Sequence, residues 1–320
     1  MSPNITPEVI MGWDPVVMFF VFGLLAGLSR SELKLPPALY DTLSILLLLA
    51  IGLHGGVELA AEASPVLLWQ TLAVLALGCL LPVIAFPALR ILRFSRVDSA
   101  NIAAHYGSVS AGTFAVAIAY MLARDLHFES YIPLFVVVLE VPAIIVGLLL
   151  AKGIARDTDW RSLGREVFLG KSIVLLLGGL CIGLLAGEDA IAPLAPLYTS
   201  MFKPVLALFL LEMGLIASRQ FGSLKESGIR LAFFALAFPL AGAGIGGALG
   251  HALGLSVGGT AILATLAASG SYIAVPAAMR LALPEANPAL SLTASLGISF
   301  PFNILVGIPL YLAYAEWLIA

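Results

Sequence analysis

Charge is what this chain has least of. Asp, Glu, Lys and Arg make up 11% of its 320 residues, against 61% apolar residues and a mean hydropathy of +1.06. A soluble domain of this length needs far more polar surface. The composition therefore argues against a soluble enzyme or a nucleic-acid-binding module and places the chain among polytopic, all-α membrane proteins. Cysteine is nearly absent as well. Cys79 and Cys181 both fall inside apolar segments, where they read as small hydrophobic residues rather than a disulfide or metal site. The first apolar segment lacks a basic start and follows Asp14, so it does not read as a cleaved signal peptide.

What the chain has instead is long apolar runs. Spanning the hydrocarbon core takes roughly 20 residues, and ten transmembrane helices are expected, at 13–29, 37–54, 66–90, 98–122, 130–151, 171–187, 197–217, 228–252, 257–281 and 290–318. The basic residues test this drawing. Fourteen of the sixteen Lys and Arg fall in the odd-numbered loops, leaving Arg124 and Lys203 on the other side. A misplaced span would scramble that bias. The positive-inside rule then puts both termini outside and the loop 152–171 in the cytoplasm. Trp13, Trp69, Tyr198 and Trp317 stand near span ends, where interfacial aromatics belong.

The two halves echo each other. Gly23–Gly27 and Gly183–Gly187 read Gly-Leu-Leu-Ala-Gly at an offset of 160; Ile51-Gly-Leu53 matches Met213-Gly-Leu215 at 162, and Ile145-Val-Gly147 matches Leu305-Val-Gly307 at 160. The expected organisation is one five-helix repeat (1–151), a cytoplasmic linker (152–171) and a second repeat (172–320), inverted because each unit has an odd number of spans. Other small-residue patterns are expected to serve packing, such as the Gly242, Gly246, Gly250 stripe.

Spans 4 and 9 carry the motifs that matter most. Gly107–Ala117 and Ser269–Ala277 are too rich in Gly and Ser for comfortable membrane helices, and aligning Ser110 with Ser269 and Gly112 with Ser271 puts them at an offset of 159. Paired weak points in two halves predict two broken helices around a central site. Helix N-termini carry unpaired N–H donors and partial positive charge, which suits an anion without any Lys or Arg. Freed carbonyls and the hydroxyls of Ser108, Ser110, Thr113, Ser269 and Ser271 suit a hard cation. The candidate binding residues are Ser108, Ser110, Gly112, Thr113, Ser269, Gly270, Ser271, Glu140 and Asn303, with Ser110, Thr113, Glu140 and Ser271 as Na⁺ ligands.

Ionisable residues inside a membrane are functional candidates by default. Glu140, in the middle of span 5, is the strongest, and Asn303 lies in the matching region of span 10. Glu212, in span 7, is a weaker candidate; His105 reads as a polar wall residue, and His54 and Glu58 close span 2. No paired intramembrane Asp residues are present to carry protons, which argues against a Na⁺/H⁺ antiporter. No base–nucleophile pattern supports an intramembrane hydrolase built on a Ser and His105.

Taken together, Ile51–Gly56, Gly107–Thr113, Glu140-Val-Pro-Ala143, Ala267–Ser271 with Pro276, Pro301 and Gly307–Leu310 resemble the sodium-dependent bicarbonate transporter family over nearly the whole chain. The resemblance implies core and gate domains, bicarbonate import by symport with Na⁺ as coupling ion and no other cofactor, an elevator-like motion, a homotrimer, and a bacterial inner-membrane location. In that family the anion and Na⁺ lie between the two broken helices. Two departures stand out. In the family's cyanobacterial members an Asp follows the second serine run, where Tyr272 stands here. The central loop is much shorter here, which argues against control by a PII-like regulator. The alternatives are Na⁺-dependent symport of another small (organic) anion and a non-transporting sensor of the same fold; a larger organic anion is disfavoured by a Ser/Gly site without Lys or Arg.

Overall fold

The computed structural model describes residues 14–62, 65–152, 161, 164–165, 168–194 and 196–320. Trp13, the side chain of Glu58 and most of the expected linker 152–171 lie outside the described residues. Every regular element among the described residues is helical. The first three are α1 (Pro15–Leu28), α2 (Pro37–Glu62) and α3 (Pro65–Ile91). Next come α4 (Arg96–Gly107), α5 (Ala111–Leu122), α6 (Ile132–Lys152) and α7 (Lys171–Ile191). The chain continues with α8 (Phe202–Ala252), α9 (Val257–Ala268), α10 (Ala274–Ala282) and α11 (Pro288–Ile319). Seven stretches are long and apolar enough to cross a membrane, and α1 and α9 are shorter apolar helices.

Two differences from the expected spans are local. The connection expected between spans 7 and 8 is helical, and α8 runs on until Gly228, whose φ of 77° breaks it. Only a residue without a Cβ takes that left-handed conformation at little cost. α11 is interrupted by two π turns, Thr293–Ser299 and Asn303–Gly307, which no hydropathy pattern could show. Cys181 faces outward, away from the core.

The helices pack in matched pairs. α1 lies along the first part of α8, where a Cβ on Gly214 would strike Phe20 O and one on Gly23 would strike Leu211 O. α7 lies along α2 in the same way, with Gly183 against Leu53 O and Gly52 against Leu176 O. So Gly23 with Gly183 and Gly52 with Gly214, from two of the three echoes read in the sequence, lie where α1 meets α8 and α7 meets α2. The Gly242, Gly246, Gly250 stripe faces α9. Lipid offers no hydrophobic drive for helix association, so close backbone contact through small residues is the main attraction available.

Hydrogen bonds group the helix ends into two faces. At one end, Arg230 donates to Leu92 O (3.0 Å), Arg96 to Leu150 O (2.9 Å) and Lys152 to Ala282 O (2.6 Å), while Lys171 pairs with Asp41 (2.6 Å). These basic chains supply donors to terminal carbonyls, three of them at or just past the ends of α3, α6 and α10. At the other end, Ser256 N–H donates to Glu129 (2.6 Å) and Gln70 donates to Leu253 O (3.2 Å). The cationic loops of the sequence therefore share one face of the bundle.

Two adjacent glycines of α7 test the packing. A Cβ on Gly179 would lie 2.9 Å from Gly52 Cα, whereas one on Gly178 would meet nothing within 4 Å. Gly179→Ala is expected to lower stability by about 1–3 kcal/mol through overpacking. Gly178→Ala should be neutral or slightly stabilising, since Ala favours helix. Thermal unfolding of the two purified variants decides this.

Candidate functional site

The site is built from two helices that stop short. α4 and α9 are each twelve residues long; Ser95 and Ser256 cap their N-termini, and Ser108 and Ser269 sit at their C-caps in extended conformation. Each cap serine accepts from the amide three residues on, Asp98 N–H at 2.9 Å and Gly259 N–H at 3.1 Å, the usual N-cap device. The caps fix the register between halves at 161, so Ser108 matches Ser269 and Ser110 matches Ser271. This corrects the sequence alignment of Ser110 with Ser269. The chain resumes as α5 after three residues, 108–110, but as α10 only after five, 269–273. The unequal gaps raise the offset from 161 before the breaks to 163 after them, and the motif alignment at 159 matches neither.

The two breaks are tied to each other. Ser110 N–H donates to Ser269 Oγ (3.0 Å), and Ser269 Oγ donates to Leu266 O (2.8 Å). Ser271 N–H donates to His105 O (2.8 Å), and the ring of His105 returns a bond from Nδ1–H to Ser271 O (2.6 Å). That bond fixes the neutral tautomer, with the proton on Nδ1. His105 thus clamps the second break to the end of α4, as a wall residue would. Asn303 sits on the π turn of α11. Its Nδ2 donates to Ala268 O (3.0 Å), the last carbonyl of α9, and its Oδ1 accepts from Tyr311 (2.8 Å). It orients the break and does not line the cavity described next. Nearby, Tyr106 donates to Ser299 Oγ (2.6 Å), which donates on to Ala235 O (2.5 Å).

Between the breaks lies a small, partly open cavity of about 10 Å³, room for about one water-sized sphere. Its walls include Ser110 and Ala111 of the first break, Ser271, Tyr272 and Ile273 of the second, Glu140 of α6 and Ser172 of α7. Among the described residues, no Lys or Arg lines it. Glu140 is 3% exposed and its Oε2 has no hydrogen-bond partner; Ser108 Oγ and the Tyr272 hydroxyl are also buried without one. Unpaired buried polar atoms are rare because each costs about 1–3 kcal/mol, and here two of them, on Glu140 and Tyr272, face one cavity. Gly112 and Thr113 begin α5, fully or almost fully buried; Gly270 packs against Ser295. Glu212 is buried on α8 with Oε2 unpaired, but it does not line this cavity.

Lone-pair counting separates roles. Ser110 Oγ accepts from Thr113 N–H (3.0 Å) and from Thr113 Oγ1 (2.9 Å), which uses both of its acceptor positions and leaves its own proton to donate. The amides of Ala111 and Gly112 lie in the first turn of α5, where a helix provides no internal acceptor. The first break therefore presents donors. Glu140 presents an acceptor that no donor meets. The cavity thus sets donors on one wall against an acidic acceptor on another. Sequence reasoning missed Ser172, whose only signal was its place at the start of α7. It noted Tyr272 only as a departure from a motif.

No curated protein matches the chain. A family model described as the Na+-dependent bicarbonate transporter superfamily matches residues 15–316. With its membrane-spanning helices and tied broken helices, the chain is an integral membrane protein that belongs to the Na⁺-dependent bicarbonate transporter superfamily.

Proposed function

We propose that the protein is a Na⁺-coupled symporter that imports bicarbonate by alternating access. The observation that carries this reading is the cavity shared by both breaks, with donors on one wall and the unpaired Glu140 oxygen on another. The bicarbonate anion takes the Ser110 hydroxyl and the first-turn amides of α5. Na⁺ takes oxygens of Glu140 and Ser271, while Thr113, which does not line the cavity, acts through its hydrogen bond to Ser110. Each ion lowers the cost of bringing the other out of water, because opposite charges at close range attract strongly where the dielectric is low. Ser110, first named as a Na⁺ ligand, serves the anion better, since its lone pairs are engaged. Ser108, Ser269, Gly270 and Asn303 shape the breaks.

The same reading takes the chain as ten transmembrane helices in two inverted repeats. The twin capped helices α4 and α9 and the exchanged packing of α1 on α8 and α7 on α2 support it. In this arrangement α3–α6 with the later part of α8 and α9–α11 make the core, and α1, α2, α7 and the first part of α8 make the gate. The core moves loaded, as an elevator. The cationic face is cytoplasmic by the positive-inside rule, with both termini outside, in a bacterial inner membrane, and the assembly is a homotrimer. Symport of another small anion is the alternative; the absence of Lys and Arg from the cavity favours a single negative charge.

Uptake of labelled bicarbonate into proteoliposomes tests the reading, at a pH where CO₂ leak can be subtracted. Accumulation is expected with an inward Na⁺ gradient and is expected to vanish when K⁺ replaces Na⁺. Equal uptake in both cations, or none by correctly inserted protein, contradicts it. Glu140→Gln should raise the Na⁺ concentration for half-maximal uptake by about tenfold or more, given that bonds to a charged group are worth roughly 1.5–3 kcal/mol. Unchanged Na⁺ dependence would remove Glu140 from the cation site. Ser110→Ala should weaken bicarbonate instead, by roughly tenfold in KM.

A further inference from the structure

We propose that the Tyr272 hydroxyl is a ligand for the transported anion, donating a hydrogen bond from the second break opposite the donors of the first. This rests on the symporter reading above and adds the residue that sets how the anion is held.

Tyr272 is 9% exposed and lines the cavity with Ser110, Ser271 and Glu140. Its hydroxyl points across to α5. A Cβ on Gly112 would clash with that oxygen; the hydroxyl lies within reach of the Ser110 side chain and the Gly112 amide, and no acceptor takes its own proton in a hydrogen bond. The ring is held in place. Phe300 meets it edge to face, with centroids 5.5 Å apart and planes at 81°. A phenylalanine would fill the same space without burying an unpaired hydroxyl, which costs about 1–3 kcal/mol. The hydroxyl is explained by a partner that accepts its proton during the transport cycle.

That partner has defined chemistry. Tyr272 offers one donor, Ser110 a second, and the amides of Ala111 and Gly112 two more at the positive end of a twelve-residue helix. Their carriers belong to two separate breaks, so the donors approach from different directions. Such a fan fits a small oxyanion with several acceptor oxygens better than a spherical halide, which presents a single atom. Gly112 is required because any side chain there would occupy the position of the hydroxyl.

The test is Tyr272→Phe in proteoliposomes, with kinetics taken separately in bicarbonate and in Na⁺. Loss of one donor is expected to raise the bicarbonate KM by about tenfold. The Na⁺ concentration for half-maximal rate at saturating bicarbonate should stay within about twofold, and the thermal midpoint without anion should hold or rise because the unpaired hydroxyl is gone. Gly112→Ala, which displaces the hydroxyl, should reproduce the KM defect. A bicarbonate KM unchanged in Tyr272→Phe overturns the proposal while leaving symport intact. So does a shift confined to the Na⁺ dependence, which would make Tyr272 a cation ligand. Wild-type protein that neither accumulates bicarbonate nor is stabilised by it overturns the symporter reading and this proposal together.

Discussion

Backbone amides and carbonyls cannot remain unpaired in hydrocarbon, and this constraint governs the structure. Helices α4 and α9 stop inside the membrane-spanning part of the chain, and each stop frees polar groups that have no water to turn to. The structure answers in two ways. Part of the freed backbone is paired across the breaks, through Ser110 with Ser269 and through His105 with Ser271. One carbonyl, Ala268 O, is met by Asn303 from a π turn of α11. Two buried side-chain oxygens without a partner, on Glu140 and Tyr272, line the cavity beside the breaks.

The rest of the fold holds those breaks in place. Ser95 and Ser256 start their helices at matching points, so both end at matching depth. Glycines remove the side chains that would keep α1 from α8 and α2 from α7. Pro82 and Ala143 press against Gly107 at the end of α4. Phe300 stacks edge-on against Tyr272. A shift of any of these by one residue would open the cross-break hydrogen bonds and expose backbone to lipid, at a cost of several kcal/mol per unsatisfied group.

Much of this was legible in the sequence, for reasons that can be named. Hydropathy gave the helices because crossing a bilayer demands apolar length. The runs of Ser and Gly marked the breaks because they fall inside apolar segments at corresponding places in the two halves. The grouping of Arg96, Lys152, Lys171 and Arg230 at one end of the bundle followed from loop charge. The register between α4 and α9 was not legible: the second break is two residues longer, and the caps at Ser95 and Ser256 set the two helices at an offset of 161. The two π turns of α11 leave no mark in hydropathy, so Asn303 read as a free ligand when its amide is engaged at both ends. Ser110 likewise read as a cation ligand until its partners were visible. Donor and acceptor counting needs geometry, and residue type alone does not supply it.

The central claim is that anion and cation share one cavity and stabilise each other there. Mutual linkage tests it most directly. Bicarbonate affinity is measured by calorimetry on the purified protein across a range of Na⁺ concentrations, and Na⁺ affinity across a range of bicarbonate. A shared site predicts that each ion tightens the other by the same factor, because coupling free energy is reciprocal. Bicarbonate affinity that does not change from zero to saturating Na⁺ would contradict the account.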